Sequence, residues 1–254
     1  MFPLKDDIPT RRFPVLTVAI IAICCAAYFL FEQGLWELGD TGNERVFEYG
    51  AIPYEVTNPG EECDPAGLCE GQPNVTGEAP DQSPWWVTIF TSMFLHGSLL
   101  HLGGNMLFLW IFGNNIEDSM GRVRFVVFYL LGGLAALGLH IVTDPDSAIP
   151  TVGASGAIAA VLGAYALLYP RARVITLIFI IIFFTVVQLP ALVVLGFWFI
   201  LQLLPAFSEP MGEGGGGVAY FAHIGGFVFG LLTIKLFADR VHEDYEAPHR
   251  LPVY

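Results

Sequence analysis

Charge is what this sequence has least of. Only 14% of its 254 residues are Asp, Glu, Lys or Arg, against about a quarter in an ordinary soluble domain. Meanwhile 54% are hydrophobic and 28 are glycine, with a mean hydropathy of +0.60. Too few polar side chains remain to cover a water-soluble globule, which excludes a soluble enzyme, a disordered chain and a disulfide-stapled secreted module. Basic residues are scarcer still, 11 against 24 acidic, for a net charge of −13. A nucleic-acid partner is therefore not expected. The sequence has no His-Glu-x-x-His, no pair of aspartates within its apolar runs, and no repeat with a 20–50-residue period. Metal-dependent and aspartyl chemistry inside a membrane are disfavoured, and neither a cofactor nor a metal is expected.

What is present is a series of long apolar runs, at 13–31, 99–116, 125–142, 152–169, within 174–205, and at 218–237. Each is close to the roughly 20 residues that a bilayer-crossing helix needs. The expected fold is an all-α polytopic membrane protein with six transmembrane helices. Six spans put both termini on one side, and that side holds every Lys and Arg except Arg45. Cytoplasmic loops carry the Lys/Arg excess, so both termini are read as cytoplasmic, in the plasma (inner) membrane.

On this reading residues 1–12 form a cytoplasmic N-terminus and 13–31 the first helix. The apolar run of that helix is too long for a signal peptide, so it stays uncleaved. Residues 32–84 form an acidic external loop, 85–237 the core with helices 2–6, and 238–254 a cytoplasmic tail. Span 5 is placed near 190–205, preceded by a segment at the cytoplasmic interface. A glycine-rich loop at 208–217 leads into span 6. Cys63 and Cys69 lie in the external loop, either bridged or as a free pair, and 74–76 matches a glycosylation sequon. Nothing in the sequence sets the oligomeric state.

Polar groups inside a membrane are costly, and each is a functional candidate. His101 and Asn105 in span 2, Ser155 in span 4 and His223 in span 6 all lie near the external ends of their helices. At 1.5 Å per residue they share one depth. A serine in a membrane helix commonly bonds its own backbone or a neighbouring helix. Ser155, however, stands between Gly153-Ala154 and Gly156 at a helix start, where space is clear and backbone N–H groups are unpaired. His223 precedes Gly226-x-x-x-Gly230, a small-residue face that permits close helix approach. Gly156, Ala159, Ala160 and Gly163 offer the same on span 4. If these faces meet, Ser155 and His223 form a nucleophile–base pair. His101 and Asn105, spaced i, i+4, share a helix face as donors for an oxyanion, or else as an interhelical clamp.

Four motifs, in this order, resemble those of the rhomboid family of intramembrane serine proteases. They are His96-Gly97-Ser98-Leu99-Leu100-His101-Leu102-Gly103-Gly104-Asn105-Met106, Glu117-Asp118-Ser119-Met120-Gly121-Arg122, Gly153-Ala154-Ser155-Gly156, and Ala222-His223-Ile224-Gly225-Gly226 through Gly230. The resemblance implies a six-helix bundle that cleaves transmembrane protein substrates in the bilayer. It makes Ser155 the nucleophile, His223 the base, and His101, Asn105 and the Ser155 N–H the oxyanion donors. It also implies that span 5 and the loop before span 6 act as gate and lid. Some members carry an aromatic residue one turn after the serine, where this chain has Ala159. The competing expectation is a rhomboid-like module that binds membrane proteins without cleaving them.

Overall fold

The structure is a computed structural model that describes residues 1–33, 42–73, 75, 79, 82–180, 183–208 and 218–239. The sequon, nearly all of the glycine-rich loop and the tail beyond residue 239 lie outside the described residues. The chain runs through β1 (Phe2–Asp6), α1 (Val15–Ala26, continued by a π-helical turn Ala27–Glu32), α2 (Gly42–Tyr49), α3 (Pro53–Thr57) and α4 (Trp85–Thr91). It continues with α5 (Leu99–Phe108), a π-helical turn (Leu109–Gly113), α6 (Asn114–Met120), α7 (Arg122–Thr143) and α8 (Ser155–Leu168). Strands β2 (Arg173–Ile180) and β3 (Phe183–Pro190) precede α9 (Ala191–Ser208) and α10 (Tyr220–Phe237).

Among the described residues, three helical stretches are long and apolar enough to cross a membrane: Val15–Glu32, Arg122–Thr143 and Tyr220–Phe237. Ser155–Leu168 and Ala191–Phe207 are apolar but shorter. The chain is an integral membrane protein.

Helix α8 is apolar on every side, and a helix of that kind belongs in the middle of a bundle. Every residue from Ala157 to Ala166 is buried. Its neighbours reach it backbone to backbone. A Cβ added at Gly230 would run into the Ala160 carbonyl, one at Gly226 into the Gly156 carbonyl, and one at Gly163 into the Phe227 carbonyl. On the opposite side a Cβ at Gly132 of α7 would strike the Ala160 side chain. Between membrane helices there is little hydrophobic drive, so such close van der Waals contact is what holds them together.

The all-α expectation is corrected by a three-stranded sheet. β2 and β3 form an antiparallel hairpin from Arg173↔Pro190 to Ile180↔Phe183, and β1 adds antiparallel to β2. The run is rich in Val, Ile, Phe and Thr, which suit a pleated surface better than a helix. The ladder also satisfies the backbone of the stretch that links α8 to α9.

At this end of the bundle, buried polar groups tie distant parts of the chain together. The Glu117 carboxylate accepts from the N–H groups of Leu16 and Thr17 and from the Thr17 hydroxyl, capping α1 from another helix. Asp6 accepts from the Tyr165 hydroxyl and from Asn115 Nδ2, both at 2.6 Å.

At the opposite end, the expected acidic loop contains a folded lobe. Ile52, Tyr54, Cys63 and Cys69 are buried together, and the two cysteines form a disulfide. Ala51 and Thr151 exchange backbone hydrogen bonds, which fastens this lobe to the segment entering α8.

Two outcomes follow for stability. Gly230→Ala should force α8 and α10 apart and cost about 1–3 kcal/mol, as overpacking does. Gly138→Ala, which meets only open space on α7, should be neutral or stabilising by up to about 1 kcal/mol; thermal unfolding in detergent compares the two. The second concerns Asp6, whose carboxyl burial pushes up from 3.8 to about 6. The folded state then holds the proton more tightly than the unfolded chain. This contribution is full below about pH 4 and is lost as the pH rises through about 6. Asp6→Asn keeps an acceptor for Tyr165 and Asn115, and should flatten the fall in melting temperature across that interval.

Candidate active site

Ser155 is the first residue of α8, and the chain reaches it through Gly153 at φ +127°, a conformation that side chains rarely adopt. Gly153 N–H donates to the Ser92 carbonyl at 2.8 Å, which holds the turn. Being at the start of the helix, the N–H groups of Ser155, Gly156 and Ala157 have no carbonyl one turn back to bond. They form a small field of donors beside the hydroxyl.

His223 is on the first turn of α10. Its Nε2 lies 2.8 Å from Ser155 Oγ, and its Nδ1 lies 2.8 Å from Oε1 of Gln202 on α9. The ring of Trp198, one turn before Gln202, lies against the imidazole with centroids 5.9 Å apart and planes at 41°. The α8–α10 contact explains the pairing: with Gly226 seated on the Gly156 carbonyl, residues 155 and 223 fall opposite each other.

His101 and Asn105 come from the first turns of α5. The Ser98 hydroxyl caps this helix by accepting from His101 N–H at 3.1 Å. The His101 ring lies over Gly153, where an added Cβ would fall 2.8 Å from its Nε2 and Cε1. It also meets His96 edge-on, with centroids 5.2 Å apart. Asn105 is buried, and its Nδ2 has no hydrogen-bond partner among the described residues. Ser155, His223, His101 and Asn105 all line one cavity of about 740 Å³.

An unpaired buried donor costs free energy unless something in the cavity accepts from it. Asn105 Nδ2 thus remains a donor with spare capacity at this end of α5. Among the described residues no group of three His, Cys, Asp or Glu side chains is placed to hold a metal ion.

The sequence reading missed three residues of this cavity or its wall. His140 of α7 lines the cavity with a buried Nδ1 that has no partner among the described residues. Trp198 lines it as well, and Gln202 stands behind His223. A signal was available for Gln202, because it is the one amide or ionisable side chain in the apolar run of α9. Ala159, the site of the aromatic residue in some rhomboids, is fully buried, and a Cβ at Gly226 would approach it to 3.1 Å. The ring beside the imidazole comes instead from Trp198 of α9.

The motif order, the helix pairing and the cavity point to one family. The rhomboid domain model matches residues 83–240. The chain belongs to the rhomboid family. Its relatives include the rhomboid protease GluP of Bacillus subtilis, 30% identical over 151 residues, covering 59% of this chain and 24% of the relative. Another is the mitochondrial rhomboid protein 1 of Saccharomyces cerevisiae, 35% identical over 98 residues, covering 37% and 28%. The mitochondrial presenilin-associated rhomboid-like protein A of Danio rerio is 30% identical over 198 residues, covering 66% and 49%. The chain thus spans between about a quarter and a half of the length of these rhomboid relatives.

Gly153→Ala should cost about 1–3 kcal/mol in thermal unfolding. It would place a side chain in a disfavoured backbone region and against the His101 ring.

Proposed function

We propose that this rhomboid-family chain is a serine endopeptidase that hydrolyses peptide bonds of transmembrane protein substrates within the lipid bilayer. The observation that carries the reading is the 2.8 Å contact between Ser155 Oγ and His223 Nε2, at the wall of a cavity that His101 and Asn105 also line. Ser155 attacks the scissile carbonyl while His223 takes its proton. The oxyanion that forms is met by Asn105 Nδ2, the His101 ring and the Ser155 N–H. The imidazolium then protonates the leaving amine. A water molecule, deprotonated by His223, releases the acyl group and regenerates the serine.

The reading takes α1, the α5–α6 run, α7, α8, α9 and α10 as six spans. The Lys/Arg asymmetry supports an orientation with both termini cytoplasmic, which opens the cavity to the external face. For the membrane we keep the plasma (inner) membrane. The relatives bear both bacterial and mitochondrial names, so orientation carries this part of the reading and organelle does not.

A fluorophosphonate probe should label wild-type protein in membranes and leave Ser155→Ala unlabelled. Absence of labelling and cleavage in folded wild type would favour the non-proteolytic binding module. Ser155→Ala and His223→Ala should each abolish cleavage of a model transmembrane substrate, with the double variant no worse than either, because the two act as a unit. Asn105→Ala should lower kcat by about 10²–10³-fold with KM little changed, since its donor meets charge present only in the tetrahedral state.

A further inference from the structure

A neutral imidazole carries its proton on one nitrogen and a lone pair on the other, and the hydrogen bond at one nitrogen decides the role of the other. A base for Ser155 needs the lone pair on Nε2. Among the described residues the partner at Nδ1 of His223 is not a carboxylate. It is Gln202, whose amide could present either its oxygen or its NH₂.

The surroundings of that amide resolve the choice. Gln202 Nε2 donates to the Trp198 carbonyl at 3.2 Å, one turn back on α9, which leaves Oε1 to face His223 Nδ1 at 2.8 Å. An amide oxygen can only accept, so Nδ1 must be the protonated nitrogen. Nε2 is then free to accept the Ser155 hydroxyl proton at 2.8 Å. The donors run in one direction, from Ser155 to His223, to Gln202, to the main chain of Trp198.

We propose that Gln202 is a positioning residue for His223, holding its imidazole in the Nδ1–H tautomer with Nε2 aimed at Ser155 Oγ. The proposal rests on the protease reading for its kinetic consequence, though not for its structural one. Trp198 and Gln202, spaced i, i+4, form a two-sided cradle from α9: the indole bears on the ring and the amide on its edge. A neutral acceptor adds no charge to the site. Its contribution is therefore orientation and tautomer, not stabilisation of an anion–cation pair.

The test uses the full chain in detergent or bilayer discs, with ¹⁵N-labelled histidine and the variants Gln202→Leu and Gln202→Glu. In wild type the His223 nitrogen shifts should report Nδ1–H. In Gln202→Leu, which keeps the volume and removes the acceptor, that signature should be lost. The kcat of Gln202→Leu should fall about 10- to 100-fold with KM within about twofold. Gln202→Glu, which keeps an oxygen acceptor, should recover the Nδ1–H signature and most of the rate. A Gln202→Leu variant with wild-type tautomer and wild-type kcat would overturn the proposal. So would a loss of rate, in either variant, that merely follows melting temperature while the tautomer is unchanged. The tautomer is read without substrate. An inactive wild type that still shows Nδ1–H, lost in Gln202→Leu, would defeat the protease reading and leave the positioning contact standing.

Discussion

The closeness of α8 and α10 underlies the rest of this structure. Three glycines, Gly163, Gly226 and Gly230, each sit where any Cβ would meet a carbonyl of the facing helix. In hydrocarbon the apolar side chains of two helices gain little from each other that lipid does not also supply. Fitting main chain against main chain is the remaining source of specific contact. It also fixes where the first turns of the two helices lie, and Ser155 and His223 are on those turns. α7 adds a third close surface through Gly132, and residues of these three helices line the cavity together with residues of α5 and α9.

The two ends of the bundle solve the same electrostatic problem in different ways. A helix end leaves backbone groups unpaired, and burying them is costly. At the end carrying the sheet, the start of α1 is satisfied by a side chain from far along the sequence, Glu117. At the end carrying the cavity, the start of α8 is left without such a partner. The serine is placed there.

Much of the cavity was legible in the sequence because membrane helices expose so few polar types. His101 and Asn105 declare a shared face by their spacing. Ser155 declares a helix start by the glycines around it, and Gly226-x-x-x-Gly230 marks a contact face. Gln202 and His140 were equally visible as polar residues in apolar runs, yet what gives them meaning is a neighbour on another helix, which spacing cannot reveal. The hairpin was hidden for a different reason. Hydropathy is the same for a strand and for a helix of Val, Ile and Phe, and the strand that completes the sheet lies at the other end of the chain. The lobe between α1 and α4 was obscured by its acidity; the core seen among its described residues is small, built on Ile52, Tyr54 and the Cys63–Cys69 bridge.

Two kinds of contact surround His223. The helices that carry it and Ser155 meet main chain against main chain. Its contacts to α9 pass through two side chains, from a helix whose outward face is Leu192, Val193, Phe197, Ile200, Leu201 and Leu204. The two side chains that bear on the base therefore stand on the same helix that turns an apolar face outward, whereas the nucleophile stands on the buried helix α8.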